Sequence, residues 1–289
     1  MPELPEVETV RRGLSGLILG KQVRSVDHDT PKSFPNATAD VTEFLVGAEI
    51  TDIRRRAKVL IIDLSTKYSL LVHLKMTGQI VFVAKDVRFG AGHPNDSLVN
   101  QLPDKSTRVT FEFTDGSKLY FNDQRKFGWI KLMPTIEIPS IDFMKKVGPE
   151  PLEADFTAEQ FTDRFKRRAK TNIKAAILDQ SVVAGVGNIY ADESLWGAKI
   201  HPKRLVSSIT SEEFAKLYTE LREVMNLAIE KGGSSNHTYV NAEGKKGSYM
   251  NFARVFRREG LTCPRCGTAI EKLRVAGRGT HICPHCQLL

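Results

Sequence analysis

All four cysteines of this chain lie within residues 263–289, as Cys263-x-x-Cys266 and Cys283-x-x-Cys286 with 16 residues between the pairs. Two such knuckles each offer two thiolates at a spacing that suits a tetrahedral Zn²⁺. Four protein ligands leave no open coordination position, so the expected metal is one structural zinc ion and not a catalytic one. Disulfides are the weaker reading, because Met1 to Val10 is acidic and proline-bearing and lacks the basic and apolar regions of a signal peptide. Between the knuckles runs Lys272-Leu-Arg-Val-Ala-Gly-Arg-Gly-Thr-His281, where Gly277 and Gly279 allow a tight hairpin tip that presents Arg278. A basic, metal-held finger suits a phosphate backbone.

The rest of the chain must supply the core that so small a module lacks. At 289 residues it exceeds the usual size of one domain, which predicts two domains plus the cysteine appendage. A 41% hydrophobic and 26% charged composition is that of a soluble globular protein. No apolar run approaches the roughly 20 residues needed to span a bilayer, so no membrane role is expected and the chain is placed in the cytoplasm, as a monomer. Forty-two Lys and Arg against 34 Asp and Glu give a net charge of +8, which favours a polyanionic partner such as nucleic acid.

Val7, Val10, Leu14 and Leu17 recur at helical spacing, and Gly20 stands where that helix can stop. From Gln22 to Met133 the pattern changes to short β-rich runs at 59–64, 70–74, 79–83, 109–113, 119–121 and 129–132, with an Asp115-Gly116 hairpin turn. This predicts a sandwich or barrel. Gly90 to Pro103 is rich in Gly, Pro, Asn and Asp and reads as a mobile loop. The expected organisation is a β domain over 1–133, a proline-rich linker over 134–152, a helical domain over 153–252 and the cysteine module over 253–289. Helices are expected at 158–168, 173–180, 189–198 and 212–231, the last ended by Gly232 and Gly233.

Three further clusters carry possible chemistry. In Pro2-Glu3-Leu4-Pro5-Glu6, removal of Met1 would free the secondary amine of Pro2, and such an amine attacking an aldehyde-level carbon forms a cationic iminium, an electron sink for elimination. Glu3 can then serve as general acid, with Glu6 one turn on holding the amine. The same residues also describe a plain helix start, with prolines at its beginning and acids at its positive end. Ala184-Gly-Val-Gly-Asn188 precedes a helix and can cradle a phosphate, or simply form a packing corner. Met76, Arg125 and Phe127 fall at strand ends or turns, where side chains can wedge into a base stack or else pack in a core. Lys58 closes the basic run Arg54-Arg-Arg-Ala-Lys58.

Taken together, the opening Met1-Pro-Glu-Leu-Pro-Glu-Val-Glu-Thr-Val-Arg-Arg, the Gly185-Val-Gly-Asn-Ile-Tyr segment and the closing Val275-Ala-Gly-Arg-Gly-Thr-His281 resemble the bacterial formamidopyrimidine-DNA glycosylase family. The resemblance covers essentially the whole chain. It implies an α+β fold: an N-terminal β-sandwich with a flanking helix, a C-terminal helical domain with a helix-two-turn-helix motif, and a β-hairpin zinc finger. It also implies a bifunctional glycosylase and AP lyase that excises 8-oxoguanine and formamidopyrimidines from double-stranded DNA, in a bacterial cytoplasm and at the nucleoid. Pro2 matches the Schiff-base nucleophile, Glu3 the acid that opens the deoxyribose, Lys58 the lysine of β-elimination and Arg278 the arginine of δ-elimination. Asn188 would share a phosphate clamp with Lys58 and Arg278, Lys170 would contact DNA, and Met76, Arg125 and Phe127 would fill the gap left by a flipped nucleotide. The segment around Thr238–Gly247 would cover the extruded base.

One stretch departs from the family pattern. Many members carry Lys-His-Asp-His before the hairpin strand, whereas this chain has Lys105-Ser106-Thr107-Arg108. Ser106 is expected to replace the histidine as a phosphate donor, with Arg108 adding charge. Two rivals remain: an endonuclease VIII-like enzyme for oxidised pyrimidines, whose opening typically has Gly where this chain has Leu4, and a non-catalytic zinc-finger protein that only binds bent DNA.

Overall fold

The computed structural model describes residues 2–93, 95–234 and 249–289. The chain divides into two compact units, Met1–Lys145 with Lys231–Ser248, and Lys146–Glu230 with Tyr249–Leu289.

The first unit opens with α1 (Leu4–Ile18), which carries Pro5 in its first turn. Val7, Val10, Leu14 and Ile18 are all buried, so the apolar stripe read from the sequence is the face that packs. Gly20 adopts φ +77, a conformation that favours glycine just past a helix end. Strand β1 (Val23–His28) follows, then α2 (Thr38–Asp40) with a π turn at Val41–Leu45, and then the strands β2 (Ile50–Arg56), β3 (Val59–Leu64), β4 (Tyr68–His73), β5 (Gly78–Val83), β6 (Arg88–Gly92), β7 (Thr107–Phe113), β8 (Lys118–Asp123) and β9 (Trp129–Pro134). They form two antiparallel sheets, in the orders β1-β7-β8-β5-β6 and β2-β3-β4-β9. One core joins them: Ile53, Leu60, Ile62 and Val72 of the smaller sheet, Ile80, Phe82, Phe111 and Phe121 of the larger, and the buried face of α1. Each such side chain contributes roughly 1.5–3 kcal/mol on burial.

Three parts of this unit differ from the sequence expectation. β1 and β2 escaped the pattern because β1 is mostly exposed and β2 ends in three arginines, so neither shows an apolar run. Residues 88–92, largely assigned to a mobile loop, form the edge strand β6 paired with β5. Glycine there serves close packing: Gly92 has φ +121, and a Cβ on it would meet the Gly78 carbonyl oxygen at 2.5 Å. The proline-rich stretch after residue 134 is also ordered, with a 3₁₀ turn at Thr135–Ser140 and α3 (Asp142–Lys146). There Ile138 packs onto Val59, Ile61 and Leu71, which lie on the sheet face turned away from the main core.

The second unit contains α4 (Ala158–Lys166), α5 (Ile173–Leu178), α6 (Asn188–Gly197) and α7 (Ser211–Glu230). Thr157 and Gln160 form a capping box that starts α4, and α7 buries Phe214, Leu217, Leu221, Met225 and Ala228 at the 3–4 residue spacing of an amphipathic helix. Between α5 and α6, two turns are built by side chains: Asp179 accepts from the Ser181 N–H at 2.9 Å, and Gln180 donates to the Val186 carbonyl at 2.8 Å. The unit ends in the hairpin β10 (Glu271–Val275) and β11 (Arg278–Ile282).

Candidate functional site

Pro2 and Glu3 are both buried at the head of α1, Glu3 at 3% exposure. Glu3 takes the N-cap position, and its backbone N–H donates to Glu6 Oε2 at 2.8 Å. The other oxygen, Glu6 Oε1, accepts from the Ser234 N–H at 2.9 Å. Glu6, expected to hold the Pro2 amine, thus fixes the backbone of Glu3, the residue next to that proline. The base-covering segment expected around Thr238–Gly247 lies outside the described residues.

Lys58 stands in the two-residue turn between β2 and β3, where Arg56 pairs with Val59 and Ala57 takes φ +53. It is only 6% exposed. The hairpin is tied to α1 by Glu8, which sequence reasoning passed over. Glu8 accepts from Arg11 at 2.8 Å, Arg12 at 2.9 Å and Arg55 at 3.3 Å, and Arg55 in turn donates to the Ala57 carbonyl at 3.1 Å. Burial raises the Glu8 carboxyl, but the hydrogen bonds from Arg11 and Arg12 and the charge of Arg55 outweigh it and hold the group at about 2. His73, opposite Val59 on β4, is pushed down to about 3 by burial and by the charges of Lys75 and Lys58. It is therefore neutral, and its Nδ1 accepts from the Lys75 N–H at 3.1 Å.

Met76, Arg125 and Phe127 occupy two neighbouring turns. The Thr77 hydroxyl donates to Asp123 Oδ1 and also accepts from the Arg125 N–H at 3.1 Å, so it links the two. Asp123 is fully buried, and its Oδ2 accepts from Phe127 at 2.8 Å and Gly128 at 2.7 Å. That carboxylate turns the chain so that Arg125 and Phe127 stay exposed, the guanidinium 4.8 Å from the centre of the phenyl ring. A 44% exposed phenylalanine is not a core residue.

The phosphate role expected of Ser106 is not supported. Ser106 is 2% exposed, and its hydroxyl donates to Asp104 at 2.7 Å. Arg108 is likewise turned inward: 5% exposed, it pairs with Asp29 and donates to the Asp123 carbonyl at 2.7 Å. Both side chains spend their donors inside the unit, where leaving them unpaired would be costly.

In the second unit Lys170 is exposed between α4 and α5. Asn188 is the first residue of α6, and its Nδ2 donates to the Gly279 carbonyl of β11 at 2.9 Å. Arg278 is exposed beside a two-residue turn formed by Ala276 (φ +50) and Gly277 (φ +74). Gly279, expected at the tip, lies within β11 opposite Arg274.

The four cysteines converge, with all Sγ atoms within 4.8 Å of one another. The pairs Cys263–Cys286 and Cys266–Cys283 stand 4.0 and 3.4 Å apart. These separations exceed the ~2.05 Å of a disulfide and bracket the roughly 3.8 Å of tetrahedral zinc thiolates. Backbone N–H groups of Arg265 and Cys286 point at Cys263 and Cys283, each at 3.4 Å, as knuckles that stabilise thiolate charge do.

The sequence matches three family models: the formamidopyrimidine-DNA glycosylase N-terminal domain over residues 1–130, the H2TH domain of the same enzymes over 147–240, and the zinc finger found in FPG and IleRS over 260–288. With the sulfur geometry, the last match makes this the site of one structural zinc ion. A formamidopyrimidine-DNA glycosylase of Pediococcus pentosaceus is 44% identical, with 100% of both chains covered, and one of Latilactobacillus sakei is 40% identical over 100% of this chain and 98% of its own. Among solved structures, a point mutant of the Lactococcus lactis FPG in complex with Fapy-dG DNA superposes with a TM-score of 0.88 at 36% identity, covering 100% of each chain. A MutM complex with carbocyclic 8-oxo-G DNA gives a TM-score of 0.86 at 35% identity, again covering 100% of each chain. The chain belongs to the formamidopyrimidine-DNA glycosylase family.

Proposed function

We propose that this chain is a bifunctional glycosylase and AP lyase that removes oxidised purines from double-stranded DNA in the bacterial cytoplasm, at the nucleoid. The observation that carries the reading is the head of α1. There Pro2 directly follows Met1 and Glu3 is fixed beside it by Glu6. After loss of Met1 the Pro2 amine attacks C1′ of the damaged nucleotide. Glu3 delivers a proton to the sugar ring, and the base departs as the C1′–N bond to Pro2 forms. With O4′ protonated, the C1′–O4′ bond breaks and leaves an iminium at C1′; loss of a C2′ proton then expels the 3′ phosphate, and loss of the C4′ proton expels the 5′ phosphate. Water finally releases Pro2.

Lys58, Asn188 and Arg278 bind the phosphates around the lesion, Lys170 adds charge, and Met76, Arg125 and Phe127 occupy the space vacated by the extruded nucleotide. The zinc ion orders the hairpin that bears Arg278 and takes no chemical step. The relatives' own complexes support the substrate class, since they contain Fapy-dG and carbocyclic 8-oxo-G DNA. A Lactococcus lactis complex also contains DNA with an oxidised pyrimidine, so pyrimidine lesions belong in the same test.

The test is borohydride trapping on duplexes carrying each lesion, with peptide mapping of the adduct. The expected crosslink is at Pro2, and a crosslink at an internal lysine would refute the nucleophile. Glu3→Gln should lower single-turnover excision by about 10²–10⁴-fold while DNA affinity changes little. Undiminished excision would remove Glu3 from the mechanism.

A further inference from the structure

Helix α6 carries two adjacent carboxylates, Asp192 and Glu193, at 1% and 0% exposure, within a run from Tyr190 to Gly197 that is buried throughout. Glu193 has a clear structural role, since its oxygens accept from the N–H groups of Arg254, Val255 and Phe256 at 2.8, 2.9 and 2.8 Å. Asp192 faces a different segment. Its Oδ2 accepts from the His281 backbone N–H at 3.0 Å and lies 3.2 Å from the ring Nδ1, while its Oδ1 is paired with the fully buried ammonium of Lys174 on α5. The far nitrogen of His281 is 2.9 Å from Glu259 Oε2.

The arrangement on β11 is regular. A strand points the C=O of one residue and the N–H of the residue two further along toward the same side. In β11 these are the Gly279 carbonyl and the His281 N–H, and among the described residues β10 is the one strand that pairs with β11, on its other side. Asn188 donates to the first and Asp192 accepts from the second. The two side chains stand four apart on α6 and so share one face. A helix face thus takes the place of a neighbouring strand, pairing an otherwise open edge donor for acceptor.

We infer that Asp192, with Lys174 behind it, is a positioning residue that sets the register of β11 on α6 and thereby places Asn188 and Arg278 for phosphate binding. Asn188 begins the helix that Asp192 anchors, and Arg278 adjoins the Gly279 that Asn188 holds. Any slip of β11 along α6 moves both phosphate donors relative to each other. The inference rests on the phosphate roles proposed above for those two residues.

The experiment compares Asp192→Ala and Asp192→Asn with the wild-type enzyme, using zinc content, amide hydrogen exchange across 278–282, and the salt dependence of affinity for duplex containing an abasic-site analogue. Asp192→Ala should keep one zinc, expose the His281 amide to exchange, weaken DNA binding about tenfold and reduce the salt slope by about one to two phosphates' worth. Asp192→Asn retains an acceptor for the His281 N–H, so it should keep the slope near the wild-type value. At saturating DNA both variants should still form the Pro2 crosslink.

A wild-type slope in zinc-replete Asp192→Ala would overturn the inference. So would loss of zinc or of fold in both variants, which would make the pair a general core element and not a register device. Absence of lesion-dependent crosslinking by the wild-type enzyme would instead refute the proposed function, independently of these variants.

Discussion

In the first unit, α1 lays four apolar side chains onto a core shared with two sheets, whereas the hairpin module of the second has only a small apolar cluster of Trp196, Val255, Ile270, Cys263 and Cys283, with Val275 and Ile282 also buried. Both units carry residues of the proposed chemistry, and both use buried carboxylates to catch backbone N–H groups: Glu6 and Asp123 in the first, Asp192 and Glu193 in the second. They differ in what surrounds those carboxylates. A large apolar core tolerates a polar anchor as a local adjustment, while a module with almost no core of its own depends on its anchors and its metal for its shape. Polar bonds are directional, so such a module is held in one register or not at all.

The largest expected effect tests that dependence directly. Structural zinc is worth on the order of 10 kcal/mol or more in isolated finger modules. Chelation, or Cys283→Ser, should therefore disorder the hairpin and abolish DNA binding while leaving the sandwich folded. The two tryptophans make this readable, because Trp129 lies in the first unit and Trp196 packs against the cysteine cluster. With Trp129→Phe the remaining emission should shift on zinc loss, and with Trp196→Phe it should not. If both signals change together, the contrast between the units fails.

A smaller effect is expected where the first unit itself relies on a polar anchor. Asp123→Ala leaves Met76, Arg125 and Phe127 in the sequence but removes the acceptor that organises their turns. Excision of 8-oxoguanine from paired DNA should fall about tenfold to a hundredfold, because unstacking a base costs a few kcal/mol that the wedge no longer offsets. Cleavage of a preformed abasic site should fall much less, since no base has to be extruded. Equal losses in folded protein, measured by single-turnover kinetics, would mean that these turns position the backbone and do not stabilise the gap.

The smallest effect is the pH dependence of the α1–β2 tie. The Glu8 carboxyl is held at about 2, below its ordinary 4.5, so its stabilisation is fully present above about pH 4.5 and is lost as pH falls toward 2. The stability difference between wild type and Glu8→Gln in urea titrations should be flat at neutral pH and shrink across that acidic window. A difference that grows on acidification would refute the assignment of Glu8 as a charged tie.

Much of the fold was legible because local rules were enough. The Val59–Leu64 run is a strand in both readings, Asp115-Gly116 does turn a hairpin with Gly116 at φ +83, and the stripe on α1 is its buried face. The cysteine spacing foretold the sulfur cluster. The family motifs also single out Pro2, Glu3, Lys58, Asn188 and Arg278, whose roles in the reaction are proposed from that resemblance. Legibility failed where a residue's role depends on what lies across space. Ser106 and Arg108 looked like surface donors in a polar stretch, yet Asp104 and Asp29 draw them inward. Glycines at 90 and 92 suggested a loop, but β5 needs them as a thin edge strand.

By itself, the sequence determined the elements whose signal repeats within a few residues: helix faces, the cleanest strands, tight turns and metal knuckles, each set by near neighbours. Only the tertiary structure decided which polar groups are anchors. Asp192 and the His281 N–H are 89 positions apart, and no local period relates them. A buried carboxylate has to find its donors wherever the folded backbone presents them, because leaving it unpaired would cost more than the fold can bear.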